Sequence, residues 1–569
     1  MAELQNSDYH PQPLSCFVIG ASILPCLKCV QSLLDRGHKV HGFISLDSTL
    51  AQWSSEQNLP FLAINNECSS SDDDIIDFLS QHPFDYLFSI ENYYILSEEI
   101  LKLPRKGAIN YHNSLLPKYA GCEVEYWAIV NREEIHGITW HFMSGRVDTG
   151  DIIKQVSCTI SPTETAYSLN QKCDWAAVES FHQLIDELAE LSGDRISTTK
   201  QNLQERTYYY FSKRPPMGCV FSWHLSAEDI DTFIRALTYI SYENYVGTPK
   251  IVIENEFIIV SQVCLLNLKS GHPPGTIVKI QSHSLQIATK TNDILLRQVF
   301  TIDGEILPLS EFISKFSLFA GYQFSDLDAT LGDRLTKSYK QALKQEDFWL
   351  TRLTQLQPTA LTQNNVSNLD KNFPEYVVTH SSLPDEVLNV LENQYPQENL
   401  SDFLLSIFII YVHIHQKIFD IELGYRDEKI QQEFQQLAGF FASHVPFCLK
   451  IDSQMTFRNL IMHVQKEVQT IREGKTYCRD IFFRYPKLGD RCQEKYQFPL
   501  IVERVQKLEN LKSNADMTLF VPESGDGYAW GYVRGVFNLE VEEKISDRLN
   551  TIARQVIQNW DGEISKIIG

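Results

Sequence analysis

The strongest constraint on the fold is an alternation in the first 112 residues. Short apolar runs, each ended by Gly or by a polar turn, alternate with stretches of helical periodicity. Cys16-Phe17-Val18-Ile19-Gly20 reads as a buried strand, Ile23 to Arg36 as a helix stopped by Gly37, and Val40 to Ser45 as a second strand. Asp72-Asp73-Asp74 fronts a short helix, Ile75 to Gln81, where carboxylates suit the positive helix end. Asp85 to Ile90 and Gly107 to Tyr111 are the third and fourth strands. Strands alternating with helices imply an α/β fold: a parallel sheet with helices on both faces. In such sheets ligands sit at the carboxyl ends of the strands. Gly20 lacks a Gly-x-Gly-x-x-Gly set, so the first turn does not signal a dinucleotide.

The fourth strand carries the chemistry. In Gly107-Ala108-Ile109-Asn110-Tyr111-His112, Asn110 and His112 are two apart, so their side chains leave one face of the strand. Pro117 and Gly121 then force the chain into a loop. An amide donor and an imidazole thus come together where ligands bind. Downstream, His136 to Met143 alternates as a strand, and Gly145 and Gly150 bracket a loop carrying Asp148, with Asp151 just beyond. A carboxylate there can meet His112. Acyl transfer to an amine needs a donor for a developing oxyanion, a base for the amine's proton, and an imidazole held in one orientation. Asn110, His112 and Asp148 match these roles, and no nucleophilic side chain is required because the amine is the nucleophile. His136 and His141 lack such company and read as structural; Asp151 reads as a turn or cap residue.

The pattern Asn-x-His-x-Ser-Leu-Leu-Pro-x-Tyr-x-Gly (110–121), then Gly-Ile-Thr-x-His-x-Met (137–143) and Asp-Thr-Gly-Asp-Ile (148–152), resembles the folate-dependent formyltransferases. That family includes methionyl-tRNA formyltransferase, sugar-nucleotide N-formyltransferases and the formylation domains of nonribosomal peptide synthetases. The resemblance covers roughly residues 14–320. It implies a Rossmann-like catalytic domain, 10-formyltetrahydrofolate as co-substrate, no metal, and transfer of formyl to an amine. It also implies Asn110, His112 and Asp148 as the catalytic set. By the same resemblance, Ser114, Leu115, Leu116 and Pro117 line the folate site, and the Tyr94-Ile95-Leu96 backbone holds the pterin. Ala120 stands where the family often has Arg. With the stretches 136–141 and 169–173, this places the chain nearer the peptide-synthetase branch than the tRNA branch.

After Tyr208 the pattern changes. A helix from Ser226 to Ile240 precedes short strands at Lys250–Ile253, Phe257–Gln262, Gly275–Ile280, Ser284–Ala288 and Ile294–Gln298, which suggest a small barrel. The stretches 206–209, 245–250 and 274–277 resemble the family's C-terminal domain. Ser338 to Leu356 reads as a helix and Gln363 to Asn368 as a polar loop. The last 200 residues mix long helices (Asp402 to Gln416, Thr456 to Arg472) with strands at Phe498 to Val502 and Met517 to Val521. Pro499 marks the first of these as an edge strand. Phe348 to Leu353 and Gly439 to Pro446 resemble parts of a peptide-synthetase condensation domain, but its His-His-x-x-x-Asp-Gly motif is absent. The expected organisation is a catalytic domain (1–204), a barrel-like domain (205–322), a linker (323–372) and a non-catalytic, α+β, half condensation-like region (373–569).

Composition narrows the partners. Of the net charge of −22, residues 1–204 carry −14, residues 205–320 carry −1 and residues 321–569 carry −7. No segment has the basic face that nucleic acid needs. No apolar run approaches a membrane span. Twelve cysteines without a framework, and an N-terminus without a basic, apolar signal pattern, suggest the cytoplasm. Cys26-Leu27-Lys28-Cys29 has no second ligand pair and reads as helix packing. His413 and His415 lie in an apolar helix at a spacing that cannot face one metal. The leading expectation is N-formylation of an amino acid or carrier-bound aminoacyl group, with an adenylation or carrier protein as partner. The alternatives are a sugar-nucleotide N-formyltransferase and an inactive scaffold.

Overall fold

A computed structural model describes residues 12–567 apart from 22, 46–48, 65–71, 192–194, 241, 361–375, 453, 490–497, 514, 524, 526 and 534–538. The polar loop Gln363 to Asn368 lies outside the described residues. The chain forms two compact units, 1–213 with 228–246, and 214–227 with 247–569.

The first unit is built on β1 (Ser15–Gly20), β2 (Lys39–Ser45), β3 (Phe61–Ala63), β4 (Tyr86–Ile90), β5 (Gly107–His112), β6 (Ala120–Gly121), β7 (Ile135–Phe142), β8 (Ile152–Thr159) and β9 (Tyr208–Tyr209). Its helices are α1 (Ile23–Asp35), α2 (Thr49–Glu56), α3 (Asp72–Ser80), α4 (Glu98–Leu101), α5 (Val124–Val130) and α6 (Ala166–Glu190). Seven strands make one sheet in the order β3-β2-β1-β4-β5-β7-β8. The four expected strands are present and parallel, with β3 beside β2. The sheet as a whole is mixed, because β7 and β8 return as an antiparallel hairpin on β5. Alternate residues feed two cores, as strand pleating requires. Cys16, Val18, Phe88, Ile109 and Tyr111 pack with α1 and α6 through Val30, Leu33 and Phe181. Phe17, Ile19, Leu87 and Ala108 pack with α3 through Ile75 and Leu79. Cys26 and Cys29 are both buried, with the Cys26 thiol donating to Ile90 O.

The second unit holds two six-stranded sheets. The first contains β10 (Lys250–Ile253), β11 (Glu256–Leu265), β12 (Ile277–Gln281), β13 (Ser284–Ile287), β14 (Ile294–Thr301) and β15 (Ile306–Leu307). Its strands are ordered β10-β11-β14-β13-β12, with β15 on β14, all antiparallel. The helix expected from Ser226 to Ile240 is shorter, Ala227–Ala236, and from Glu228 on it belongs to the first unit. The second sheet contains β16 (Tyr376–Ser382), β17 (Asp420–Asp427), β18 (Val445–Lys450), β19 (Leu500–Val505), β20 (Met517–Pro522) and β21 (Gly527–Val533), ordered β16-β21-β20-β19-β17-β18. This corrects the edge-strand expectation. β19 is interior, buried along its whole length, and parallel to β20 and β17. Pro499 lies one residue before β19, so its missing N–H removes no bond from the ladder.

The expected linker is also largely structured. Helices Ala329–Ala342 and Glu346–Gln355 bury Leu335, Tyr339, Trp349 and Leu353 at helical spacing, and Trp349 Nε1 donates to Gly474 O at 3.1 Å. The single helix expected from Ser338 to Leu356 is two helices separated by a 3₁₀ turn at Leu343–Gln345. A buried charge network fastens these elements to the first sheet of the unit. Lys250 Nζ donates to Asp480 Oδ2 at 2.7 Å, Thr248 O at 2.8 Å and Gly218 O at 3.1 Å. Arg484 joins Asp480 (Nε to Oδ1, 3.0 Å) to Glu346 (Nη1 to Oε1, 2.9 Å), and Tyr485 OH donates to Glu346 at 2.6 Å.

Candidate active site

The carboxyl end of β5 presents Asn110 and His112 on one face, and β7 brings a third group to them. The antiparallel register sets His141 directly opposite Asn110. Asn110 Oδ1 accepts from Ser89 Oγ at 2.7 Å, which leaves Nδ2 as the donor. That nitrogen donates to Tyr111 O at 3.0 Å and lies 3.3 Å from His141 Nε2. His141 Nδ1 is 2.8 Å from Phe142 O. A carbonyl only accepts, so Nδ1 carries the hydrogen and Nε2 takes the amide's. Burial pushes the His141 imidazole down to about 4, which keeps it neutral near pH 7.

The same logic fixes His112. Its Nε2 is 2.8 Å from Tyr119 O, so Nε2 bears a hydrogen, and in the neutral ring the lone pair is on Nδ1. Nδ1 faces Asp148 Oδ2 at 3.7 Å, and Asp148 Oδ1 lies 3.7 Å from His141 Nε2. One carboxylate therefore stands between two imidazoles, all three groups being buried or nearly so. Expectation and structure agree that Asn110, His112 and Asp148 converge. They differ on what orients the His112 ring: the Tyr119 carbonyl does so, while Asp148 faces the opposite nitrogen. His141, read from sequence as structural, stands inside the cluster. Its signal was present, since a residue facing Asn110 on the neighbouring strand is fixed by the hairpin register, but the register itself was not legible.

The loop around Asp148 is held in a demanding conformation. Asp148 adopts φ +52°, a region uncommon for non-Gly residues, though Asp enters it more readily than most. Gly121 N donates to Asp148 Oδ2 at 2.8 Å, and Gln201 Nε2 donates to Asp148 O and Gly150 O at 3.2 and 2.7 Å. Both glycines are required by space. A Cβ on Gly150 would lie 1.7 Å from Phe142 O, and one on Gly121, at φ +96°, would lie 2.1 Å from Tyr209 O. Asp151, by contrast, hands its carbonyl to Phe142 N, which fits the turn role expected for it.

The residues expected to contact folate surround this edge unevenly. Leu116 is buried, and its N–H donates to Thr139 Oγ1 at 3.1 Å while its carbonyl accepts from Gln155 Nε2 at 2.9 Å. Ser114 Oγ donates to Lys118 O at 2.9 Å. Leu115 packs close over Gly137, and Pro117 follows Leu116 through a cis peptide. In the second segment, Asn92 closes an Asx turn on both backbone groups of Tyr94 at 2.9 and 2.8 Å. Ile95 is 78% exposed and Leu96 is buried. The Tyr94 backbone is thus already satisfied, and the turn presents Ile95 to solvent.

Residues 51–185 match the formyl transferase family, and residues 217–317 match that family's C-terminal domain. Over 244 residues the chain is 33% identical to methionyl-tRNA formyltransferase of Clostridium tetani (strain Massachusetts / E88), covering 42% of this chain and 74% of that protein. The chain belongs to the formyl transferase family. Its matched region is a folate-dependent N-formyltransferase that uses 10-formyltetrahydrofolate as co-substrate. The chain is also 32% identical over 223 residues to the bifunctional polymyxin resistance protein ArnA of Wigglesworthia glossinidia brevipalpis, spanning 39% of this chain and only 32% of that relative. Among solved structures it is similar to WlaRD, a sugar 3N-formyl transferase, with TM-score 0.39 and 19% identity over 51% of this chain and 98% of that one. It is similar as well to HypX from Aquifex aeolicus, with TM-score 0.40 and 14% identity over 55% and 50% of the two chains. Among the described residues no helix is long and apolar enough to cross a membrane.

Proposed function

We propose that this chain formylates the amine of an amino acid or of a carrier-bound aminoacyl group, with Asn110, His112 and Asp148 as its catalytic residues. The observation that carries the reading is the Nδ1 lone pair of His112 facing the Asp148 carboxylate. Two acceptors face each other there, an arrangement relieved when a proton arrives between them. The attacking amine forms the new C–N bond to the formyl carbon and gives its proton to His112 Nδ1, where Asp148 stabilises the imidazolium. The bond from the formyl carbon to the folate nitrogen breaks, and that nitrogen leaves with the proton that His112 gives up, which restores the neutral imidazole. Asn110 Nδ2 donates to the formyl oxygen as it gains charge, exchanging its contact with His141 for a stronger, charge-assisted one. His141, kept neutral, positions the amide. Leu115 and Pro117, with the exposed Ile95 and its neighbour Leu96, offer the folate surface.

The acidity of residues 1–204 favours an acceptor without phosphates over a tRNA or a nucleotide sugar. We retain a barrel-like second domain (205–322) and a half condensation-like region (373–569) that docks a carrier or adenylation protein. Support for docking comes from a cavity of about 1150 Å³ lined by Phe441, Ala442, Ser443 and His444 of the condensation-like motif together with Arg426 and Glu503. His444 Nε2 lies 3.2 Å from Glu503, so this segment still builds an organised polar wall. Incubation with 10-formyltetrahydrofolate and a panel of amines, with tetrahydrofolate release as readout, tests the function. Turnover with amino acids or aminoacyl carriers supports it; turnover confined to nucleotide amino sugars would replace the acceptor, and no release with any amine would favour a scaffold.

A further inference from the structure

Two residues flank the His112 ring in a backbone conformation that L-residues rarely hold. Tyr119 adopts φ +55° and Asp148 adopts φ +52°. The left-handed region is the harder of access for Tyr119, a bulky residue whose Cβ crowds the carbonyl that follows. Such conformations persist only where the surroundings impose them, and they gather at functional sites. The two outliers meet the ring at its two nitrogens. Tyr119 O lies 2.8 Å from His112 Nε2, and Asp148 Oδ2 lies 3.7 Å from His112 Nδ1.

One segment, residues 199–209, holds both. Thr199 exchanges both backbone hydrogen bonds with Ile152 at 2.8 Å. Gln201 Nε2 donates to Asp148 O and Gly150 O, and Arg206 Nη2 donates to Val147 O at 3.0 Å. These contacts fix the loop that carries Asp148. At the other nitrogen, Tyr119 N donates to Thr207 Oγ1 at 2.7 Å, and Ala120 N donates to Thr207 O at 3.0 Å. β9 then continues along β6, with Ala120 beside Tyr208 and Gly121 beside Tyr209. The same Gly121 gives its N–H to Asp148 Oδ2. The two bonds to Thr207 have a particular consequence. Peptide units are planar, and the two that meet at the Tyr119 Cα are both tied to this one residue, the first through its hydroxyl and the second through its carbonyl. With both planes held, the φ and ψ of Tyr119 are set. The second of those planes carries the carbonyl that faces His112.

We propose that Thr207 is a positioning residue for formyl transfer: by tying both peptide units of Tyr119 it aims the Tyr119 carbonyl at His112 Nε2, and so keeps the ring in the tautomer whose Nδ1 can take the amine's proton. This rests on the reading of His112 as the base and names the residue that prepares it. Asp148 alone would favour the wrong tautomer. A hydrogen on Nδ1 would point at its carboxylate, and that nitrogen would then be closed to the amine. The carbonyl at Nε2 must outweigh this preference, which is what the strained backbone of Tyr119 achieves. Thr207 supplies the hold from an exposed position, so replacing it removes an acceptor without opening a core.

The test uses the full chain with Thr207→Val, which keeps the shape and removes the acceptor, and Thr207→Ser, which keeps the hydroxyl. Nitrogen-15 NMR of histidine-labelled protein at alkaline pH reads which ring nitrogen carries the hydrogen, the His112 signals being assigned by their loss in His112→Ala. The parent and Thr207→Ser should carry it on Nε2, and Thr207→Val should carry a large share on Nδ1. With 10-formyltetrahydrofolate and an amine that the parent formylates, kcat of Thr207→Val should fall at least about tenfold with little change in the KM for folate, and Thr207→Ser should recover most of it. Far-UV circular dichroism checks folding, and Thr207→Ala takes the place of Thr207→Val if that variant does not fold. A hydrogen that stays on Nε2 without the hydroxyl, or a loss of kcat that Thr207→Ser does not recover, overturns the positioning role. A hydrogen that moves to Nδ1 while kcat is unchanged, or in a chain whose parent formylates no amine, keeps the hold of Thr207 on the ring and sinks His112 as the base.

Discussion

Each unit of this protein buries a cluster of charges, and the two clusters are assembled differently. In the second unit Lys250, Arg484, Asp480 and Glu346 make two cations against two anions, and each head group is hydrogen-bonded at normal geometry or closer. Its carboxylate Asp480 is held down to about 2 by Arg484 and Lys250, against the cost of burial. In the first unit Glu125 and Asp174 are also buried, and their acidic neighbours, Glu123 and Glu91, add to the cost of ionising them. Burying a charge costs several kcal/mol unless it is compensated. The balanced cluster meets that cost internally. The unbalanced one avoids that cost differently: burial and its acidic neighbours push Glu125 up to about 8, so it keeps its proton near neutral pH. One cluster is compensated by opposite charges and the other by retained protons, and that difference sets how each responds to pH.

The largest effects separate catalysis from architecture. Replacing His112 by Ala removes the proton acceptor and should lower kcat by ~10²–10⁴-fold, leaving folate binding nearly intact because the ring faces Asp148. Single-turnover rates with equilibrium folate titration measure this; turnover close to the parent's would remove His112 from the mechanism. Lys250→Met should leave Asp480 and Arg484 buried and out of balance in the second unit. Breaking such a pair from one side costs ~3–5 kcal/mol, read as a lower urea midpoint. A Lys250→Met protein as stable as the parent would show that the network contributes nothing net.

The same contrast explains what the sequence reveals. The strands β1, β2, β4 and β5 are legible because each is a short apolar run with a turn at its end. The convergence of Asn110, His112 and Asp148 is legible because strand parity and two flanking glycines constrain it. His141 was hidden because its part depends on cross-strand register. The role of Tyr119 was hidden because a carbonyl leaves no mark on side-chain pattern. Pro499 misled because the rule concerns a residue inside a ladder, and β19 begins one residue later. The stretch 323–372 looked like a connector because Gln363 to Asn368 is polar, although Leu335, Tyr339, Trp349 and Leu353 carry a helical stripe. Neither charge cluster is visible in the sequence, since Lys250 meets a residue 230 positions away.

The clusters should also respond to pH with opposite signs. Glu125 sits at about 8 in the folded chain and near 4.5 when unfolded. Between those values the folded state holds a proton that the unfolded state has released, so stability falls as pH rises through this window. At about 1.4 kcal/mol per unit, and with relief among the neighbouring carboxylates, the loss should be roughly 3 kcal/mol. Glu125→Gln should flatten that limb and be the more stable protein at pH 8, as followed by urea melts. An unchanged slope would mean that Glu125 is already ionised and balanced.

Asp480 gives the smaller effect and the other sign. Its folded value of about 2 lies below the ordinary 3.8, so its contribution is complete above 3.8 and is lost as pH falls toward 2. That contribution is about 2 kcal/mol. Asp480→Asn should be markedly less stable than the parent at pH 6, where it leaves Lys250 and Arg484 without their shared carboxylate. The gap between the two proteins should narrow by about this amount as pH falls toward 2, because the parent's own Asp480 then takes up a proton. Urea melts at pH 6, 4 and 2.5 follow this convergence. A gap that stays constant across the three would mean that the ion pairs are not what distinguishes Asp from Asn here. The contrast between a balanced and an unbalanced cluster would then lose its reference.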